Sequence, residues 1–237
     1  MSPTYTQATA AWRGHCVRGM LFDLDGTLVD TAADIAHALN QTLAERGWQP
    51  LAVSDVAQMI GRGAPILIER AAAAGGHALA GADPAALLER FFEHYGALEE
   101  SNQAAASPYP GVLETLHTLH RAGMLIGVVT NKQHRFAIAL LRRLGLFDWI
   151  DVVVGGDTCE RRKPDPQPLL FACERLKIEP SQALMVGDSV NDVRAARAAH
   201  IPVLCVPYGY NEGQDPRALD CDALIDTLAD LPPLLWS

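Results

Sequence analysis

The chain has 237 residues, 49% hydrophobic and 20% charged, a globular balance with room for one good core or a core plus a small second domain. A formal net charge of −9 argues against a nucleic-acid partner, so an anionic small molecule would need local positive groups to draw it in. No apolar run is long enough to span a membrane, residues 1–18 lack a signal peptide's apolar segment, and the odd, widely spaced set Cys16, Cys159, Cys173, Cys205 and Cys221 forms no CxxC pair. A cytoplasmic protein with reduced, mostly buried thiols is expected.

Residues 1–18 read as a polar extension without a motif, a candidate for disorder. A short apolar strand follows over Arg18–Asp23 and closes on Asp23-Leu24-Asp25-Gly26-Thr27. Side chains alternate along a strand, so Asp23 and Asp25 point the same way near its end. Two carboxylates left together repel unless a cation or a shared proton holds them. The pair suits Mg2+ with a nucleophile and an acid/base group, although an ordinary acidic turn would also read this way.

Residues 31–107 contain no convincing strand and several helical stretches. Thr31 and Asp34 have capping-box spacing, and Ile35, Leu39 and Leu43 follow at four-residue intervals before Gly47. Further helices are expected near 64–74 and 84–99, with a helix end and a flexible loop over Ala71–Ala86. Arg62 sits between two glycines, where a solvated arginine is the plain reading. Ser107–Gly111 reads as the return linker. The expected domains are thus a core of residues 19–30 and 108–237 and a helical insert of residues 31–107.

From Pro110 onward helices and strands alternate, which predicts a parallel α/β sheet with Rossmann-like organisation. Leu113, Leu116 and Leu119 mark the inner face of a helix ending at Gly123; the next carries Phe136, Leu140, Leu141 and Leu144; a third starts at Asp165-Pro166 and buries Leu169, Cys173 and Leu176. The expected strands are Leu125–Thr130, Val152–Gly155, Ala183–Asp188 and Val203–Val206. They are short and apolar, as fits strands covered on both faces.

Ligands of an open parallel sheet bind at the carboxyl ends of its strands, and polar groups stand there. Thr130 and Asn131 follow the second strand, where Thr130 would cap a helix or grip a phosphate oxygen together with backbone N–H groups. Asp188 ends the fourth strand, as a helix cap or as a hard oxygen ligand. Asp192, three residues after Ser189, has capping-box spacing. Lys163 precedes Pro164 in a loop and would be a solvated charge or a point charge against phosphate. Arginine outnumbers lysine sixteen to three; the lysines are Lys132, Lys163 and Lys177, and lysine at two loop positions stands out against that bias. His117 and His120 lack a third nearby ligand and read as surface residues. Tyr208-Gly209-Tyr210 is expected to shape a pocket rim.

Four segments taken together resemble the haloacid dehalogenase superfamily, in its phosphatase branch: Phe22–Leu28, Thr130-Asn131, Lys163-Pro164 and Gly187-Asp188-Ser189-x-x-Asp192. The likeness covers about residues 19–230, and the helical insert is similar to that family's C1 cap. A finer likeness, to bacterial phosphoglycolate phosphatases, rests on Ile60–Ala64, Val129–Lys132, Gly155–Asp157 and Arg162–Pro166. The resemblance implies a phosphomonoester substrate, 2-phosphoglycolate within the finer likeness, and Mg2+ as cofactor. Asp23 would be the nucleophile and Asp25 the acid/base. The metal would be held by Asp23, Asp25 (through its carbonyl) and Asp188, with Asp192 behind it. Thr130, Asn131 and Lys163 would bind phosphate, and Arg62 the substrate's other end. A phosphatase of another sugar phosphate or nucleotide, a phosphomutase and an idle binding protein remain alternatives. The residues leave monomer and homodimer open.

Overall fold

A computed structural model describes residues 10–77, 83–101 and 103–236. A hairpin of β1 (Ala10–Trp12) and β2 (His15–Val17) leads into β3 (Gly19–Phe22). The two-residue β4 (Val29–Asp30) precedes four helices: α1 (Ala32–Ala44), α2 (Val53–Ala57), α3 (Ala64–Ala74) and α4 (Pro84–Glu100). β5 (Ser107–Pro108) then returns to pair antiparallel with β4. The rest alternates: α5 (Val112–Arg121), β6 (Leu125–Val129), α6 (His134–Arg143), β7 (Val152–Val154), α7 (Gln167–Leu176), β8 (Ala183–Gly187), α8 (Val190–Ala198), β9 (Val203–Cys205), β10 (Ala223–Leu224) and α9 (Leu231–Leu235).

The main sheet is parallel throughout, in the order β10-β9-β8-β3-β6-β7. Its central strands are buried on both faces because helices cover both. One apolar cluster joins β3, β6 and β8 to α5, α6 and α9, and the other joins them to α7 and α8. The four helices between β4 and β5 build a third cluster of their own, to which the core lends Phe136 and Tyr210. All five expected strands form. The sixth, β10, is two residues long and gave no periodic signal.

Several expectations are corrected. Residues 10–17 form an ordered hairpin, because Ala10, Trp12 and Val17 bury against the main cluster across an Arg13-Gly14 turn with both φ values positive. Residues 1–9 lie outside the described residues, as does part of the Ala71–Ala86 loop. Leu113 is 41% exposed; Val112 takes its inward place beside Leu116 and Leu119. Thr31 and Asp34 form no capping box. Thr31 Oγ1 donates to Asp25 Oδ1 (2.7 Å), and the Asp34 carboxylate accepts from the backbone N–H groups of Ala105 (2.7 Å) and Ala106 (3.0 Å). The start of the insert is thereby tied to its end. All five thiols are free, but Cys173 and Cys205 alone are buried, against the expectation that most would be. His117 and His120 are exposed, as expected of surface residues.

Candidate active site

The site is assembled by strand register. Phe22 pairs with Val128 on one side and Val186 on the other, so β3, β6 and β8 release their next residues at one edge. Asp23, Thr130 and Asp188 therefore gather from three separate parts of the chain. The Asp23 N–H still donates to the Val186 carbonyl (3.0 Å), which fixes the start of the turn. Gly26 has φ +88, and a Cβ there would lie 2.4 Å from Asp188 Oδ2. Only glycine lets the Asp23–Thr27 turn pass this close to the second acid.

Asp23, Asp188 and Asp192 are all buried and bring carboxylate oxygens within 4.8 Å of one another. One ammonium answers them: Lys163 Nζ lies 2.9 Å from Asp23 Oδ1 and 2.7 Å from Asp192 Oδ1. Burial pushes the Asp23 carboxyl up to about 7; Lys163 pulls it down, while Asp192 and Asp25 push it further up. Asp188 is likewise raised by burial, Asp192 and Asp23, against the Tyr210 N–H and Lys163. On Lys163 burial opposes the charge, but Asp192 and Asp23 outweigh it and hold the ammonium above its ordinary value. Three acids with one base leave excess negative charge in a dry place, and the oxygen donor set fits a hard divalent cation such as Mg2+.

Asp192 serves two purposes at once. Its Oδ2 accepts from the Ser189 N–H (3.1 Å) and Ser189 Oγ (2.8 Å) as a capping box for α8, and its Oδ1 holds Lys163. Thr130 is buried and caps no helix, since the N-cap of α6 is Gln133, three residues later. Its hydroxyl accepts from the Lys132 N–H (3.2 Å). The Asn131 amide nitrogen donates to the carbonyls of Gly61 (2.8 Å) and Lys163 (2.9 Å), linking the sheet edge to the insert. Its Oδ1 is buried with no partner among the described residues.

Asp25 lines the same cavity as Asp23 but has partners of its own. Besides Thr31, it meets Lys132 Nζ at 3.1 Å. Lys132 is 8% exposed and lies 4.5 Å from the centroid of the Tyr95 ring, a cation–π contact with the insert. No role was read for Lys132 from the sequence. The available signal was a scarce lysine directly after Thr130-Asn131.

Between sheet edge and insert lies a cavity of about 180 Å³. Asp23, Asp25, Thr130, Asn131 and Lys132 line it from the core, and Ile35, Ile60, Leu67, Phe91 and Tyr95 from the insert. Arg62 does not line it. Its Nε pairs with Glu212 Oε1 (3.1 Å), and Glu212 also holds Arg70 and the Asn191 amide (3.1 Å). Arg162 lines the cavity instead. Tyr208-Gly209-Tyr210 forms a clamp in place of a rim. Gly209 packs against Asp188, the Tyr210 N–H donates to Asp188 Oδ2, and the Tyr210 hydroxyl accepts from the N–H groups of Thr31 (2.7 Å) and Ala32 (2.8 Å).

Residues 20–206 match the family profile described as haloacid dehalogenase-like hydrolase. The chain is 43% identical to a phosphoglycolate phosphatase of Nitrosospira multiformis, over 92% of this chain and 96% of that protein. It is 46% identical to one from Rhodospirillum rubrum, over 90% and 89%. A crystal structure of a predicted phosphoglycolate phosphatase from Haemophilus somnus superposes with a TM-score of 0.85 at 30% identity, covering 92% of this chain and 97% of that one. Four separated segments that meet at one sheet edge, and relatives matched along nearly their whole length, agree: the chain belongs to the haloacid dehalogenase-like hydrolases.

Proposed function

We propose that this hydrolase cleaves phosphate monoesters through an aspartyl phosphate on Asp23, with 2-phosphoglycolate as its substrate. The observation that carries the reading is the buried Asp23–Lys163–Asp192 chain beside Asp188, with Asp25 two residues on at the same cavity. The names borne by the relatives matched over nine-tenths of their length support the substrate.

A carboxylate attacking a phosphate dianion meets repulsion. Asp23, Asp188 and the Asp25 carbonyl would hold Mg2+, which would supply the screening charge. Lys163 orients Asp23 and takes up phosphate charge as it shifts between oxygens. Thr130 and the Asn131 N–H hold the transferring group. Asp25 gives a proton to the leaving oxygen and then takes one from water. Asp192 keeps Lys163 in place from behind. The helical insert acts as a cap that excludes bulk water, with Asn131 bonded to Gly61 across the seam. A cytoplasmic location is part of the reading.

The test is phosphate release from a panel of phosphomonoesters, with Mg2+ and with a chelator. A metal-dependent preference for 2-phosphoglycolate of about tenfold or more in kcat/KM is expected. A sugar-phosphate optimum would discard the substrate and keep the chemistry. No release from any ester would overturn the hydrolytic reading.

A further inference from the structure

We propose that Lys132 recognises a carboxylate on the substrate, bonded to the carbon that carries the ester oxygen, so that the site is built for phosphate esters of 2-hydroxy acids. This rests on the reading above, in which Asp25 protonates the leaving oxygen, and it names the group that selects the substrate.

Placement carries the argument. The acid that protonates the ester oxygen must touch it. In a 2-hydroxy acid ester the carboxylate hangs from the same carbon as that oxygen, so its reader must stand next to the acid. Lys132 Nζ stands 3.1 Å from Asp25 Oδ1 and lines the same cavity.

Charge and availability agree. Lys163 is engaged by Asp23 and Asp192 at the phosphate end. Among the described residues lining the cavity, Lys132 and Arg162 are the basic ones, and Arg162 is exposed whereas Lys132 is buried. Arg62 is engaged by Glu212 away from the cavity. An ammonium has three N–H donors, and Asp25 accepts from one. The Tyr95 hydroxyl is buried beside Lys132, to which it can offer only its oxygen, so its O–H is a second donor for the same oxygens. Phe91 and Phe136 keep the surroundings apolar, where an ammonium separates a carboxylate from a neutral isostere most strongly.

The experiment compares 2-phosphoglycolate with its uncharged carboxamide on the wild type and on Lys132→Met. The wild type is expected to favour the acid by about 30-fold or more in kcat/KM, most of it in KM, as a charge-assisted hydrogen bond allows. Lys132→Met is expected to shrink that preference to roughly threefold or less, whatever the common loss on both esters. Circular dichroism checks folding; if Lys132→Met does not fold, Lys132→Gln, which keeps an N–H for Asp25, is read the same way. A variant that loses activity equally on both esters and keeps the preference would overturn the proposal, leaving Lys132 to position Asp25. A wild type that shows no preference would overturn this recognition too. If that wild type still releases phosphate from other esters, the hydrolytic reading survives and the named substrate falls with Lys132.

Discussion

Asp23 is held against its own electrostatics. Burial pushes its carboxyl up to about 7, from an ordinary value near 3.8; Lys163 pulls it down, and Asp192 and Asp25 add to the push. Between those two pH values the folded chain binds a proton that the unfolded chain has released, so stability falls as pH rises from about 4 to about 7 and levels above. The size is roughly 2 to 4 kcal/mol for a shift of this order. Urea denaturation in a chelator, repeated across that range, should show the decline in the wild type and a shallower one in Asp23→Asn, which also loses all turnover while staying folded. Adding Mg2+ at pH 7 should restore stability by about 2.7 kcal/mol at a hundredfold excess over Kd. A metal-free wild type whose stability rises over this range would refute the account. Asp23 and Asp188 were legible as site candidates because each ends an apolar strand, and Lys163 because lysine is scarce in this chain and this one precedes Pro164 in a loop. Lys132 was not, since its meaning lies in Asp25 and Tyr95, which are 107 and 37 positions away and meet it only in the fold.

Elements were legible to the extent that they have a period. The helices over 64–74 and 84–99 were readable from their apolar spacing, and the structure has them at Ala64–Ala74 and Pro84–Glu100. The segment after β9 has no period, and its role had to come from contacts. Tyr210 caps α1 from outside: its hydroxyl takes the first free N–H groups of that helix, which lacks a side-chain cap from Thr31. The same residue's N–H meets Asp188, so one loop spans the acid cluster and the root of the insert. Tyr210→Phe strips the acceptor: the buried Thr31 N–H is left unpaired, the Ala32 N–H keeps only Asp30 Oδ1 (3.2 Å), and Asp30 loses the hydroxyl's donation. We expect a loss of about 1–3 kcal/mol, or roughly 2–8 °C in Tm for a chain of this size. An unchanged Tm would mean that water replaces the hydroxyl and that the clamp adds nothing.

Across the whole molecule, the fastenings of the insert to the core differ in chemistry, and three of them show the range. The β4–β5 pairing ties together the two points where the chain enters and leaves the insert. Beside the cavity, Phe136 of α6 packs edge-on against Tyr95 at 5.1 Å and near Phe92 at 5.5 Å, an apolar contact that tolerates sliding. On the other side Glu212 gathers Arg62, Arg70 and Asn191, a polar contact that fixes direction. Its carboxylate is 7% exposed; burial opposes the charge, and Arg70, Asn191 and Arg62 outweigh it, holding the carboxyl below its ordinary value. Arg62 is 44% exposed and Arg70 27%, so solvent screens part of the attraction, and the cluster contributes about 1–2 kcal/mol. Glu212→Gln keeps the shape and removes that charge. The insert should then open more often while the acid cluster stays intact. KM should rise roughly threefold to tenfold with kcat changed less, because a binding-competent state of lower population weakens apparent affinity in proportion. Backbone amides of residues 60–67 should exchange faster with solvent, while those of β3 and β8 keep their rates. Equal protection in both forms would place the hold on the insert in its other contacts, those of Phe136, Asn131 and Lys132. A fall in kcat with KM unchanged would instead tie Glu212 to the chemistry through Asn191, next to the Ser189–Asp192 turn.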